Sequence, residues 1–227
     1  MKKQMVISLL LITTLFTACS IPTKTPKINN VQETSDKTQE YTIANIEQIT
    51  DPNDIRVLIN KEYGLPSDYQ PVDLVQLNVR FFNADFLARL RSEAAIHLED
   101  MFEQAEKDSI YLYGVSGYRS YSYQQELYIP EDTYTAMPGH SEHQLGLSID
   151  ISSESIGCNL IEEFADSPEG IWLQNNCYKY GFIIRYPKEK EHITGYPYEP
   201  WHIRYVGKEL AEELTRLNVT MEEYFHK

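Results

Sequence analysis

An aspartate interrupts an apolar alternation in this chain. Residues 145–152 read LGLSIDIS, a period-two pattern that predicts a strand, and Asp150 lies on it. A carboxylate in such a run needs a partner, because burying an unpaired charge is costly. Extended backwards to 138–150, the same segment reads PGHSEHQLGLSID and carries His140, Glu142 and His143. Some fifty residues later, YEPWHIRY sets Glu199 and His202 in a second strand-like run. Half of the chain's six histidines therefore stand beside carboxylates in two places. One metal shared by both sets of donors would explain the two clusters.

Imidazole and carboxylate are the donors that a catalytic zinc takes, three from the protein with one position left open for water. Such a metal lowers the pKa of its water towards 7, and a nearby carboxylate must then carry the proton to the leaving group. His143 and Asp150 are seven positions apart, too far for one helical turn. They fit a loop residue followed by a strand residue, and Gly146 between them permits a close backbone approach. His202 is the third donor, from a neighbouring strand. Glu199 is the natural general base, and Pro200 keeps it out of helical conformation. On the residues alone, His140 offers an H-x-x-H chelate in place of His143, and Glu199 could itself be a ligand. Glu142 reads as a solvated loop acid, and His97, His192 and His226 as solvated side chains.

The surrounding pattern mixes strands and helices without regular βαβ spacing, which predicts an α+β fold with a small antiparallel sheet and flanking helices. In 84–108, Leu87, Leu90, Ala94, Ile96, Leu98, Met101, Phe102 and Ala105 recur at helical steps. SIYLYGVSGYRS reads as a strand entering a turn, and YSYQQELY as a short helix capped by Ser120 or Ser122. SPEGIWLQNNCYKYGF reads as a helix, IIRYP and WHIRYVG as strands, and KELAEELTRLN as a helix. TMEEYF is a final helix with a Thr220/Glu223 capping box. Seventeen tyrosines supply rings with a polar tip, which suit half-buried groove walls.

The N-terminus carries an address. Lys2 and Lys3, an apolar run from Met5 to Phe16 and then Thr17, Ala18 and Cys19 form a secretory signal too short for an ordinary membrane span. The small residues before Cys19 resemble a lipoprotein cleavage box, with Phe16 where Leu, Val or Ile is usual. Residues 1–18 are therefore expected to be removed and Cys19 lipidated, anchoring the protein outside the cell; the plainer alternative is an ordinary signal peptide. Residues 19–50, rich in Thr, Lys, Gln, Asn and Pro up to about 42, read as a flexible tether, and 51–227 as the catalytic domain. Residues 1–18 hold two lysines and no acid, so the mature balance is 18 basic to 34 acidic residues, or −16. Such a surface excludes non-specific nucleic-acid binding. Cys158 and Cys177, in an exported chain, are expected to form a disulfide, with two buried free thiols as the alternative.

The motifs together resemble a family. SEHQLGLSID is similar to the S-x-H-(x)6-D signature of VanY-type D-alanyl-D-alanine carboxypeptidases, and EPWHIRYVG to their E-x-W-H element. SGYRSYSYQ resembles their arginine-bearing segment; YGFIIRYP and ITGYPYEPWH also match. The resemblance covers about residues 75–225 and implies the fold shared by lysostaphin-like enzymes, D-Ala-D-Ala metallopeptidases and the hedgehog domain. It implies one zinc held by His143, Asp150 and His202, Glu199 as base, Arg119 as oxyanion stabiliser, and Gln124 and Ser141 as substrate contacts. The implied activity is removal of the terminal D-alanine from peptidoglycan stem pentapeptides, with a role in glycopeptide resistance. The short connection between Tyr128 and Pro138 looks more like the D,D-cleaving branch. An L,D-carboxypeptidase acting on tetrapeptide stems and a non-catalytic wall-binding module with a structural metal are the alternatives.

Overall fold

The two runs that carry Asp150 and His202 fold as adjacent antiparallel strands. In the computed structural model, described for residues 49–225 except 83 and 84, the chain first forms β1 (Leu74–Gln76) and β2 (Arg89–Arg91), which pair as a small ribbon. Then come α1 (Ser92–Lys107), β3 (Tyr113–Ser116), α2 (Tyr121–Leu127), β4 (Ser148–Ser152), α3 (Pro168–Asn176), β5 (Phe182–Tyr186), α4 (Glu191–Thr194), β6 (Glu199–Tyr205), α5 (Lys208–Leu217) and α6 (Met221–Tyr224). The main sheet has the order β3-β4-β6-β5 and is antiparallel throughout. The expected α+β class with a small antiparallel sheet is what is found.

Leu147, just before β4, and Ile149 and Ile151 on it alternate and are fully buried, packing in one core with Ile203 and Trp201 of β6, Phe182 of β5, and Leu98, Met101 and Ala105 of α1. The intervening Ser148, Asp150 and Ser152 are buried too. The alternation therefore does not separate core from solvent; it separates an apolar core from a second, polar interior.

Helix α1 begins at Ser92, not near residue 84. The apolar period runs on through 84–91, but the carbonyls of Leu87 and Arg89 accept from the amides of Gly117 and Tyr118, and Arg89–Arg91 pairs with β1. Backbone engaged in that way cannot close i to i−4 bonds. Ile96, expected on the buried face, is 60% exposed, and His97 stacks on Tyr205 of β6, with ring centroids 5.5 Å apart.

The caps follow the sequence. The Ser120 side chain accepts from the Tyr123 amide at α2, and Thr220 and Glu223 complete a capping box at α6. The stretch after Asn176 does not continue α3; residues Cys177–Tyr180 tighten into a 3-10 turn that ends at Gly181.

The expected disulfide is not formed: Cys158 and Cys177 are both free. Cys177 points into the main core at the end of α3, and burial pushes its thiol up to about 12. Cys158 sits on a turn where its amide donates to the Ser153 carbonyl, one residue past β4. Cys19, the leader, the tether up to residue 48, and His226 lie outside the described residues. No described helix is long and apolar enough to cross a membrane.

Candidate active site

Register alone sets the centre of the site. Asp150 on β4 lies directly opposite His202 on β6, and Ser116 on β3 is opposite Asp150 on its other side. His143 arrives from the 3-10 turn Glu142–Leu145. That turn leaves through Gly146 at φ 66°, where a Cβ would stand 2.7 Å from the Leu74 side chain, so the tight approach read from the sequence is real. Gly117 does the same on the other flank: a Cβ there would stand 2.5 Å from the Leu87 carbonyl.

His143, Asp150 and His202 each offer a donor atom within 4.8 Å of the others, and all three are buried. His143 Nε2 lies 3.4 Å from Asp150 Oδ2, and His202 Nδ1 lies 2.9 Å from Asp150 Oδ1. Two donors of one tetrahedral metal, each about 2.1 Å away, stand about 3.4 Å apart. The outer nitrogens are occupied: His143 Nδ1 donates to the Gly117 carbonyl at 2.7 Å, and His202 Nε2 faces Glu142 Oε2 at 3.4 Å. This arrangement turns the inner lone pairs towards a common point and fits a metal ion.

The electrostatics also ask for a cation. Burial would raise the Asp150 carboxyl, but His143 and His202 outweigh it and hold it well below the usual range. Burial, with Arg119 beside it, lowers His143 to about 4, leaving a neutral imidazole. Burial would also lower His202, yet its bonds to Asp150 and Glu142 raise it to about 9. A cation held between the three donors would require Asp150 ionised and both imidazoles neutral on the side that faces it.

Glu142 corrects the sequence reading. It is buried, not solvated. Its Oε1 accepts from Arg185 Nε at 2.8 Å and from Arg204 Nη1 at 2.7 Å, and Arg185 forms a two-pronged pair with Glu222 of α6. Burial opposes the Glu142 charge, but Arg204 and Arg185 overcome it and depress its carboxyl far below normal. The network was foreshadowed by two arginines inside apolar strands, IIRYP and HIRYV, each of which needed a buried anion. His140, the rival ligand, turns away and bonds the Asn60 carbonyl at 2.8 Å, and His192 is exposed as expected.

The polar interior opens into a cleft of about 700 Å³ whose floor includes the three donors. Glu199, at the head of β6, lines it, and burial pushes its carboxyl up to about 8. Arg119 enters after β3: its Nε donates to Gln124 Oε1 at 2.9 Å, its Nη1 donates to Ser116 Oγ at 3.0 Å, and Nη1 lies 3.7 Å from Asp150 Oδ2. The other end of Gln124 donates to the Ala136 carbonyl at 2.8 Å, so both its polar ends are engaged. Ser141 lines the cleft near His143. Tyr134, Tyr186, Tyr196 and Trp201 form the aromatic walls. Individually these tyrosines carried no distinguishing mark in a chain with seventeen.

A water-accessible cleft over a buried His–Asp–His set, with an elevated carboxyl and a fixed guanidinium facing it, is the equipment of a metal-dependent hydrolase. The family comparison narrows the class. The VanY family, described as D-alanyl-D-alanine carboxypeptidase, matches residues 87–208, and the chain belongs to that family; it is a peptidase. YodJ of Bacillus subtilis (strain 168), named as a carboxypeptidase, is 47% identical over 193 residues, spanning 80% of this chain and 71% of the relative. A D-alanyl-D-alanine carboxypeptidase of Enterococcus faecalis (strain ATCC 700802 / V583) is 35% identical over 188 residues, 75% of this chain and 65% of the relative. Among solved structures, the LdcB LD-carboxypeptidase superposes with TM-score 0.74 at 48% identity, covering 80% of this chain and 90% of that one. A mutant of the vancomycin-resistance D,D-pentapeptidase VanY, in complex with Zn(II), superposes with TM-score 0.61 at 35% identity, covering 74% and 97%.

Proposed function

We propose that this chain is a zinc carboxypeptidase that removes the terminal D-alanine from peptidoglycan stem peptides. The observation that carries it is the facing pair Asp150 and His202 on β4 and β6, joined by His143. His143 Nε2, His202 Nδ1 and the Asp150 carboxylate would hold the ion, and the Zn(II) of the VanY structure supports that choice of metal. When bound, zinc supplies Lewis acidity at the scissile carbonyl and at the attacking water.

The remaining chemistry belongs to the protein. Glu199 takes the proton from the attacking water and delivers it to the leaving amine, a transfer suited to a carboxyl poised near neutrality. Arg119 is held through Nε and Nη1 by Gln124 and Ser116; Nη2, without a partner among the described residues, would donate to the oxygen on which charge develops. Gln124 therefore acts on substrate through Arg119, and the Ser141 hydroxyl meets the peptide end.

The D,D reading implied by the sequence motifs yields first place to an L,D reading. The 48% identity to an LD-carboxypeptidase over 80% of the chain favours a tetrapeptide stem. The D,D reading on pentapeptides stands second, supported by the family description and the VanY structure. Purified zinc-loaded protein incubated with tetrapeptide and pentapeptide stems, with products weighed by mass spectrometry, separates them. Loss of one alanine from tetrapeptide alone supports the first reading. Loss from pentapeptide alone reverses the order, and no hydrolysis of either ends both.

The leader and tether fit this role. Lipidation of Cys19 would fix the enzyme to the outer face of the membrane, and a tether of some thirty residues, at about 3.3 Å each when extended, lets the domain reach the wall. Metabolic labelling with a fatty-acid analogue, lost in Cys19→Ala, tests the anchor. A contribution to glycopeptide resistance belongs to the D,D reading, and unchanged susceptibility of a deletion strain would remove it.

A further inference from the structure

Arg119 is the only permanently charged cation among the described residues lining the cleft, and it approaches from one side. In the sheet order β3-β4-β6-β5, it follows β3, next to Asp150 on β4. The opposite edge of the same four strands carries Tyr186. In register, Tyr186 on β5 stands across from Glu199 on β6, and directly paired side chains on adjacent strands lie about 5 Å apart at Cβ. The Tyr186 ring stacks on His202, with centroids 5.0 Å apart and planes inclined by 27°. It also rests against Tyr196 and beneath Arg185. Only 5% of Tyr186 is exposed; its ring is immobilised between a donor imidazole and a buried guanidinium.

Its hydroxyl is different. Buried phenol groups usually find a hydrogen-bond partner, yet this one has none among the described residues. Nor is it sealed: the closed-off side-chain atoms left without partners there are Arg89 Nε, His97 Nδ1 and Gln144 Oε1. Tyr186 borders the cleft, so the hydroxyl meets open space in the site, beside the base and a metal-binding histidine. A ring needed only for packing against His202 would be served by phenylalanine without this polar group.

Resting on the proposed carboxypeptidase reading, we propose that the Tyr186 hydroxyl is a second oxyanion donor, facing Arg119 across the metal-binding strands. As water adds to the scissile carbonyl, the C–O bond forms, the carbonyl π pair moves onto oxygen, and Glu199 takes the water proton. Tyr186 donates a hydrogen bond to that oxygen and keeps its proton. The C–N bond then breaks, the electron pair returns to rebuild the carbonyl, and Glu199 hands its proton to the departing amine. A donor aimed at charge that exists only in the transition state acts on kcat rather than on KM.

Tyr186→Phe tests this, since it keeps the stacked ring and deletes one oxygen. On the stem that the wild type hydrolyses, kcat should fall about 100-fold with KM nearly unchanged. A phosphinate stem analogue, which carries the tetrahedral oxygens, should bind the variant weaker by a similar factor in calorimetry. Bound zinc should remain at the wild-type amount. Wild-type turnover in the variant overturns the assignment. So does a rise in KM alone, which would place the hydroxyl on the ground-state peptide, or loss of zinc, which would make it a support for His202. An inactive wild type is a distinct failure: it removes the carboxypeptidase reading and this inference with it.

Discussion

Glu142 holds His202 from behind: its Oε2 lies 3.4 Å from Nε2, on the opposite edge of the imidazole from the Nδ1 that faces Asp150. Glu142 also immediately precedes His143, so one turn supplies a donor and the support of another. In the proposed metal site that support would orient the ring and make it a more basic ligand.

Glu142→Gln should therefore weaken zinc binding about 10- to 100-fold, measured by chelator competition on protein confirmed as folded by circular dichroism. Arg185 and Arg204 would lose their shared anion in the same variant, so a lower unfolding midpoint is expected as well. Unaltered zinc affinity would mean that the contact with His202 is incidental.

The second prediction concerns acid. Glu222 is depressed because Arg185 outweighs the cost of burying it, and Glu142 is depressed by Arg204 and Arg185. Folded pKa values below the unfolded value of about 4.3 mean that the folded state binds fewer protons. The stabilisation is complete above about pH 4.3 and drains away as pH falls through the lower folded values. Urea unfolding across pH 2.5–7 should show stability climbing with pH in the acid range. Glu222→Gln should make that climb shallower. Parallel profiles for the two proteins would exclude Glu222 as a contributor.

How much of this was legible in the sequence depends on how far apart the deciding partners are. The Asp150–His202 pairing could be read because Asp150 is the single ionisable residue of LGLSIDIS and demands a partner, and His202 offers one from a second strand-like run. The Ser120 and Thr220 caps could be read because capping is local, settled within three residues. The start of α1 could not, because what ends the helical reading is a pair of amides on Gly117 and Tyr118, more than twenty-five residues downstream of the carbonyls they engage. Glu142 was misjudged for the same reason: Arg185 and Arg204 lie 43 and 62 residues away in the chain. Local polarity suggested solvent where the tertiary fold supplies a buried counter-charge.

The cysteine pair gives a third prediction. Both thiols are free, and burial raises Cys177 to about 12, where almost no reactive thiolate exists at neutral pH. In the domain expressed from residue 49, a thiol reagent should label Cys177 only after denaturation, and reductant should leave the melting temperature unchanged. A drop in melting temperature with reductant would restore the bridge expected of an exported chain.

The last prediction separates base from ligand at Glu199. The donor set that closes within 4.8 Å comprises His143, Asp150 and His202 without it, so Glu199→Gln should keep zinc and lose about 10²- to 10⁴-fold in kcat. The pH profile gives a second check. Burial pushes the Glu199 carboxyl up to about 8, Asp150 adds to the rise, and His202 and Arg119 oppose it. A divalent cation between the three donors adds a positive charge close by, which favours the carboxylate and lowers that value. A base works only when deprotonated, so kcat/KM of the zinc-loaded enzyme should rise with pH through an apparent pKa below 8. Residual activity of Glu199→Gln should lack that limb, because the amide has no proton to lose. An unchanged acid limb in the variant would assign it to another group and take the proton-transfer role from Glu199, whereas loss of zinc would make Glu199 a fourth ligand instead.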